Sequence, residues 1–137
     1  MGKKYKAMIL SCIDPRFQSK VFRYLKKRKL SGKYSCFTVA GSAIGVTHIY
    51  FKNWQKTFIE NLSTSIKLHQ INRLIVINHE DCGAAKLVNN KTELNKNNEK
   101  EILHESFKKL EKILKKKFPK LYYEFYLMNL NSSIQRF

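Results

Sequence analysis

This chain of 137 residues has few cysteines and no long uninterrupted apolar run. There are only three cysteines, five glycines and two prolines. A small, odd number of cysteines favours reduced thiols or metal ligation over a disulfide framework. No apolar run approaches the roughly 20 residues that a membrane-spanning helix needs. Hydrophobic residues nevertheless make up 43% of the chain, which is too many for a disordered protein.

The N-terminal apolar stretch, 7–13, resembles the core of a signal peptide only weakly. It is at the short limit of length for that role. It also contains Cys12 and runs into Asp14 instead of a small-residue cleavage site. We therefore expect a cytoplasmic protein.

Acidic residues are scarce as well. Ten Asp and Glu stand against 27 Lys and Arg, which gives a formal net charge of +17. Such a charge raises nucleic acid or an anionic membrane surface as a partner. The lysines, however, are spread along the chain among many Asn and Ile, as a low-GC genome would encode in any protein. The densest runs, 26–29 and 115–117, fall at predicted helix ends, where cations complement the helix dipole. We therefore expect neither nucleic acid nor a membrane as partner.

Apolar periodicity predicts alternating strands and helices. The predicted strands are 4–12, 35–40, 73–78 and 121–128. The predicted helices are 17–29, 53–68 and 100–117, with a short one over 82–88 and a polar, mobile loop over 89–98. This alternation is typical of an α/β fold. We expect a single domain over 1–137, built as three layers around a mainly parallel sheet of four to five strands, with Phe22, Cys36 and Trp54 in its core.

Two short motifs carry the chemistry. Residues 12–16 read C-I-D-P-R after the first predicted strand, and residues 79–84 read H-E-D-C-G-A after the third. The carboxyl ends of parallel strands share one rim, where ligands bind. Cys12, His79 and Cys82 then form a Cys2His set, and three protein ligands with an open position is the arrangement of catalytic zinc.

Simpler interpretations of the same residues stay open. Cys12 alone would suit a small buried core position. Asp14, followed by a proline, would suit the N-cap of a helix, which is compatible with a catalytic role. Adjacent acidic residues such as Glu80 and Asp81 are expected to be solvated in their turn.

The motifs resemble those of the β-class carbonic anhydrases. Residues 12–16 are similar to that family's C-x-D-x-R motif, and residues 79–84 to its H-x-x-C-G motif. Ala40 and Gly41 stand where the family has an Ala-Gly pair after its second strand. The similarity extends from the first strand to the last, which implies a β-carbonic-anhydrase-like fold.

The resemblance also implies an activity and a site. The activity is that of a carbonate dehydratase-type lyase, the reversible hydration of CO2 to bicarbonate by zinc-bound hydroxide. Asp14 and Arg16 would be the catalytic dyad, with Asp14 either accepting a hydrogen bond from zinc-bound water or becoming a fourth zinc ligand. The implied Zn2+ ligands are Cys12, His79 and Cys82. The implied substrate pocket is lined by Val39, Ala40, Gly41 and Gly83.

Two departures from the family pattern affect the expected activity. Thr38 and Val39 stand where Arg-Asn is usual, which removes two polar groups from the end of the second strand. Asn78 replaces a glycine, and we expect its side chain to crowd the approach to the metal. These departures leave a hydrolase of carbonyl sulfide or carbon disulfide, or a catalytically inactive zinc protein, as alternatives. The apolar Val39 favours these alternatives over CO2 hydration.

We also expect a homodimer or a higher homo-oligomer. Several apolar and aromatic residues exceed what one small domain needs, namely Phe51, Trp54, Tyr122, Tyr123 and Phe125. The first predicted strand begins near the start of the sequence, so we expect no N-terminal helical arm of the kind that typical family members wrap around a partner.

Overall fold

The computed structural model, which describes residues 4–137, is built around one central sheet. The strands are β1 (Ala7–Ser11), β2 (Tyr34–Thr38), β3 (Arg73–His79), β4 (Tyr122–Met128) and β5 (Ile134–Arg136). They lie in the order β2-β1-β3-β4-β5; β1 to β4 are parallel, and β5 is antiparallel to β4. The predicted α/β fold with a mainly parallel sheet of four to five strands is confirmed. Residues 1–3 of the predicted domain lie outside the described residues.

Helices pack on both faces of the sheet. They are α1 (Gln18–Lys27), α2 (Ala43–Thr47), α3 (Trp54–His69), α4 (Gly83–Val88) and α5 (Lys96–Lys117), with 3-10 turns at Pro15–Phe17 and Ile49–Phe51. Successive side chains of a strand point to opposite faces. Ile9 accordingly belongs to one hydrophobic cluster with Leu25 of α1. Leu10 belongs to a second cluster with Phe58 of α3 and Leu110 of α5. The sheet therefore separates two apolar layers, as predicted.

The polar loop is shorter than predicted. The side chain of Asn95 accepts a hydrogen bond of 2.8 Å from the Asn98 backbone N–H, so it caps α5, which already begins at Lys96. Side-chain capping of this kind satisfies a backbone donor that has no partner within the helix. The tail also gains β5, which the sequence did not predict. Within residues 4–137 no helix is both long and apolar enough to cross a membrane.

Three residues predicted for the core lie elsewhere. Phe22 is 54% exposed on α1, whose buried residues are Val21 and Leu25. Cys36 is exposed because β2 is an edge strand whose residues are only partly covered. Trp54 is half-buried and stacks on Phe51 with ring centroids 4.3 Å apart.

An ion-pair cluster lies near the amino ends of β3 and β4. The Glu124 carboxylate, 5% exposed, accepts a hydrogen bond of 2.8 Å from Arg28 and further bonds from Arg73 and Tyr126. Burial opposes ionisation, but the two guanidinium groups and the phenol lower the pKa of Glu124 to about 2. The cluster joins α1 to the sheet at the amino ends of the strands, whereas the two motifs lie at the carboxyl ends.

Candidate metal centre

The two motifs meet because their strands are neighbours. Ser11, the last residue of β1, is paired with Ile77 of β3. Cys12 therefore begins its turn beside the end of β3, where His79 lies, and Cys82 follows at the N-cap of α4. The three predicted ligands are buried, and their Sγ and ring nitrogen atoms all lie within 4.8 Å of one another.

His79 presents one ring nitrogen to this cluster. Its Nδ1 lies 2.7 Å from the Glu80 carbonyl oxygen, so the Nδ1 proton is donated there and Nε2 carries the lone pair. Phe17 stacks on the imidazole at 4.1 Å and fixes the plane of the ring. Among the described residues, Nε2 is buried and has no hydrogen-bond partner.

A buried nitrogen lone pair without a donor is costly unless another group binds it. Here it points into a pocket shared with two cysteines. Two thiolates and one imidazole are soft to borderline ligands and form a usual set for Zn2+. The residues therefore fit a zinc ion, with Cys12, His79 and Cys82 as the ligands that would hold it.

Their surroundings shift the pKa values of the two cysteine thiols in opposite directions. The Cys82 thiol, the adjacent His79 ring and the Gly41 N–H, which lies 3.3 Å from Sγ, lower the pKa of Cys12 to about 4, although burial opposes this. The neighbouring Cys12 thiolate and burial raise the pKa of Cys82. Burial alone would lower the pKa of His79, but Cys12, Glu80 and Asp14 together raise it. A divalent cation would displace the Cys82 proton, because a thiol binds metal as the thiolate.

Asp14 and Arg16 form a pair beside the cluster. The Arg16 guanidinium donates to the Asp14 carboxylate from Nε at 3.1 Å and from Nη2 at 2.8 Å. This bonding lowers the pKa of Asp14, so the carboxylate stays ionised. One carboxylate oxygen, Oδ2, lies 3.8 Å from Nε2 of His79.

Asp14 also has the capping role that the sequence left open. Its Oδ1 accepts a hydrogen bond of 2.9 Å from the Arg16 backbone N–H, and Pro15 occupies the first position of the 3-10 turn. Capping and pairing with Arg16 therefore coexist. Gln18, which the sequence analysis did not single out, donates to the carbonyls of Cys12 and Asp14, each at 2.8 Å. Nothing in the local sequence pattern indicates this contact.

The four residues predicted for the substrate pocket differ in burial. Val39 and Ala40 are half-buried, Gly41 is buried, and Gly83 is exposed at the start of α4. Gly41 has φ of +81°, and a Cβ there would lie 2.7 Å from the Ala84 Cβ, so only glycine fits. Gly41 contacts Cys12 directly; the pocket role of all four residues remains a prediction.

The Asn78 side chain is not directed towards the approach to the cluster, contrary to the expected crowding. It is 1% exposed and forms two hydrogen bonds to the turn before α2. Its Nδ2 donates to the Gly41 carbonyl at 2.8 Å, and its Oδ1 accepts from the Ala43 N–H at 3.1 Å. Since the Gly41 N–H in turn donates to Cys12, Asn78 supports a predicted ligand from a distance.

The Asp81 side chain is 45% exposed, as expected of a turn residue, but it is also ion-paired, which the sequence analysis did not predict. Its carboxylate accepts hydrogen bonds from Arg16 at 2.9 Å and from Lys86 at 2.7 Å. Its backbone N–H donates to Glu99 at 2.7 Å. Arg16 and Glu99 are distant in sequence, so local reasoning could not find these partners. Glu80 is also engaged, as its carboxylate accepts the Leu130 N–H.

Comparisons with known proteins identify a family for this chain. The sequence model of a family described as "Putative carbonic anhydrase" matches residues 2–122. An uncharacterized protein of Rickettsia bellii (strain RML369-C) is 28% identical over 130 residues, a match that covers 94% of this chain and 79% of that protein. A second uncharacterized protein, RC0076 of Rickettsia conorii (strain ATCC VR-613 / Malish 7), is 24% identical, with coverage of 94% and 70%.

Solved structures show the same fold. A carbonic anhydrase from Glaciozyma antarctica superposes with a TM-score of 0.63 at 18% identity, covering 99% of this chain and 83% of that one. One of two tetrameric β-carbonic anhydrases from Sordaria macrospora superposes with a TM-score of 0.68 at 10% identity, covering 98% and 81%. At these identities the likeness extends to the fold alone.

Proposed function

The chain belongs to the family described as putative carbonic anhydrase, and from this premise we propose that it is a zinc-dependent lyase interconverting CO2 and bicarbonate. The observation that carries the proposal is the orphaned Nε2 of His79. It is buried, lies within 4.8 Å of two cysteine sulfurs and is 3.8 Å from an ionised carboxylate. Metal ligands and an oriented proton acceptor at one rim of a parallel sheet suit hydration of a small carbon electrophile.

Each residue has a separate part in the proposal. Cys12, His79 and Cys82 would hold the metal, which when bound would supply a Lewis acid that makes water acidic enough to ionise near neutral pH. Asp14 accepts a hydrogen bond at Oδ2 and so orients the attacking group. Arg16 keeps the Asp14 carboxylate ionised and in place through its two-point contact.

Stopped-flow CO2 hydration by the zinc-loaded protein, run above and below neutral pH, tests the proposal. We expect rates that rise with pH and are well above those of Cys82→Ser, which should bind no stoichiometric zinc. A wild type that holds zinc but is no faster than Cys82→Ser would refute CO2 hydration. One equivalent of zinc retained by Cys82→Ser would refute the ligand assignment.

A hydrolase of carbonyl sulfide or carbon disulfide is the second candidate. It is favoured by Val39, an apolar residue where the similar family carries a polar one, because a sulfur-containing substrate is less polar than bicarbonate. The same zinc-loaded protein assayed for sulfide release distinguishes the two. A third candidate is a zinc protein without catalysis, in which Asp14 is the fourth ligand; it predicts one bound zinc and neither activity.

We further propose a homo-oligomer in a reducing cytoplasmic compartment. Three free cysteines support the compartment. Exposed apolar side chains support the oligomer, since Ile49 is 80% and Tyr122 is 65% exposed. Of the residues predicted for the interface, Phe125 is buried in the core and unavailable. Sedimentation velocity at micromolar concentration should give at least twice the monomer mass; a monomer would refute this part.

A further inference from the structure

The Arg16 guanidinium is held on two sides. Its Nε and Nη2 face Asp14. Its Nη1 donates to the Asp81 carboxylate at 2.9 Å, and Nη2 also donates to the Asp81 carbonyl at 3.0 Å. The Arg16 side chain is 45% exposed, and a single exposed ion pair orders such a side chain weakly because entropy and solvent compete with it. The second set of contacts therefore matters for where the guanidinium lies.

Asp81 is itself anchored by two other elements. Lys86 of α4 donates to its second carboxylate oxygen at 2.7 Å, and Glu99 of α5 accepts its backbone N–H at 2.7 Å. Asp81 has φ of +56°, a left-handed conformation that Asp tolerates better than most residues. Both carboxylate oxygens, the N–H and the carbonyl of Asp81 all have partners. An unfavourable backbone conformation with every polar group engaged is typical of a site whose geometry is imposed by its surroundings.

From this arrangement we propose that Asp81 is a positioning residue of the metal centre, which anchors Arg16 and through it holds Asp14 in its observed place. The inference rests on the proposed function and deepens it. Asp81 acts only through Arg16 in this account. Without Asp81, Arg16 keeps Asp14 as its one carboxylate partner and moves with it. Asp14 would then be free to bind the metal in competition with an added anion.

The test uses the cobalt-loaded protein titrated with azide. Co2+ bound to thiolates gives a charge-transfer band, and azide binding at an open position changes the d–d spectrum. For Asp81→Asn we expect the azide concentration at half-saturation to rise about fivefold. This factor corresponds to the free energy of one well-formed exposed ion pair. Asp81→Gly, which suits the left-handed backbone, should shift it in the same direction. Asp14→Asn combined with Asp81→Asn should restore the wild-type value.

The direction in which the azide half-saturation concentration changes distinguishes a positioning role of Asp81 from a purely electrostatic one. Removing a negative charge should by itself improve anion binding, so a purely electrostatic role lowers the half-saturation concentration. Glu101→Gln, which removes an exposed charge on α5, is the matched control and should not raise it. An unchanged or lower value in both Asp81 variants would overturn the inference while leaving the proposed function intact. Absence of the charge-transfer band in the wild type would overturn the proposed function, and the inference with it.

Discussion

Replacing Asn78 with alanine tests how the interior supports the candidate metal centre. Asn78 is buried in β3, and its amide bridges the Gly41 carbonyl and the Ala43 N–H. Ala43 is 0% exposed and Gly41 is buried, so water cannot easily replace the amide. Asn78→Ala thus leaves a buried donor and a buried acceptor without partners.

The expected loss of stability follows from those two groups. An unsatisfied buried donor or acceptor costs about 1–3 kcal/mol. The two together, with partial relaxation of the turn, should lower the free energy of unfolding by about 3 kcal/mol. For a chain of this size that corresponds to a fall in Tm of about 10 °C. Zinc affinity should also fall by about tenfold, because the Gly41 N–H that donates to Cys12 loses its support.

Urea unfolding followed by circular dichroism measures the first effect, and competition with a chelator measures the second. Asn61→Ala is the matched control. Asn61 donates to the Thr57 carbonyl at 2.9 Å on the exposed side of α3, where alanine is a good helix former, so its effect should stay within about 0.5 kcal/mol. A loss below about 1 kcal/mol for Asn78→Ala, or one equal to that of Asn61→Ala, would refute the reasoning.

Three further predictions concern the turn, the ion-pair cluster and the metal. Gly45→Ala should lower the free energy of unfolding by about 2 kcal/mol or more, because a Cβ there collides with the Ala40 carbonyl. Thermal unfolding measures this loss, with Gly83→Ala as the control, since a Cβ at Gly83 meets nothing within 4 Å. Equal Tm shifts in the two variants would contradict the clash. The pKa of Glu124 is about 2 in the folded protein and about 4.3 in the unfolded chain. Its contribution to the free energy of unfolding is therefore fully present above about pH 4.3, and up to about 3 kcal/mol is lost as the pH falls through the folded value. Urea unfolding at several acidic pH values should therefore show a steeper loss in wild type than in Glu124→Gln; parallel curves would count against the ion-pair account. Chelating zinc should lower the wild-type Tm, because a ligand bound only to the folded state stabilises that state by about 2.7 kcal/mol at 100 times its Kd. The Tm of Cys82→Ser should not change on chelation. The same fall in Tm in both proteins would disprove ligation by Cys82.

Elements with a strong local pattern could be predicted from the sequence. Side-chain spacing alone indicates the apolar runs of β1 and β3 and the periodic apolar stripe of α3. The predicted bounds of these three elements differ from the observed ones by a few residues at most. The elements that were missed have no such pattern. α2 is five residues long and contains Gly45, and β5 is three residues long and exists because it pairs with β4.

The metal-ligand set could also be predicted, because chain order and strand direction bring Cys12 and His79 to one rim wherever two parallel strands are neighbours. The tertiary structure decided which other groups reach that rim. Asp81 is a solvated turn residue by local reasoning, yet Arg16 and Glu99 reach it from distant segments. The sequence predicts that the Asn78 side chain crowds the approach to the metal, but this side chain hydrogen-bonds to a turn 35 residues away along the chain. Periodicity and motif spacing are properties of neighbouring residues, whereas these hydrogen bonds depend on how far each side chain must reach once the layers have packed.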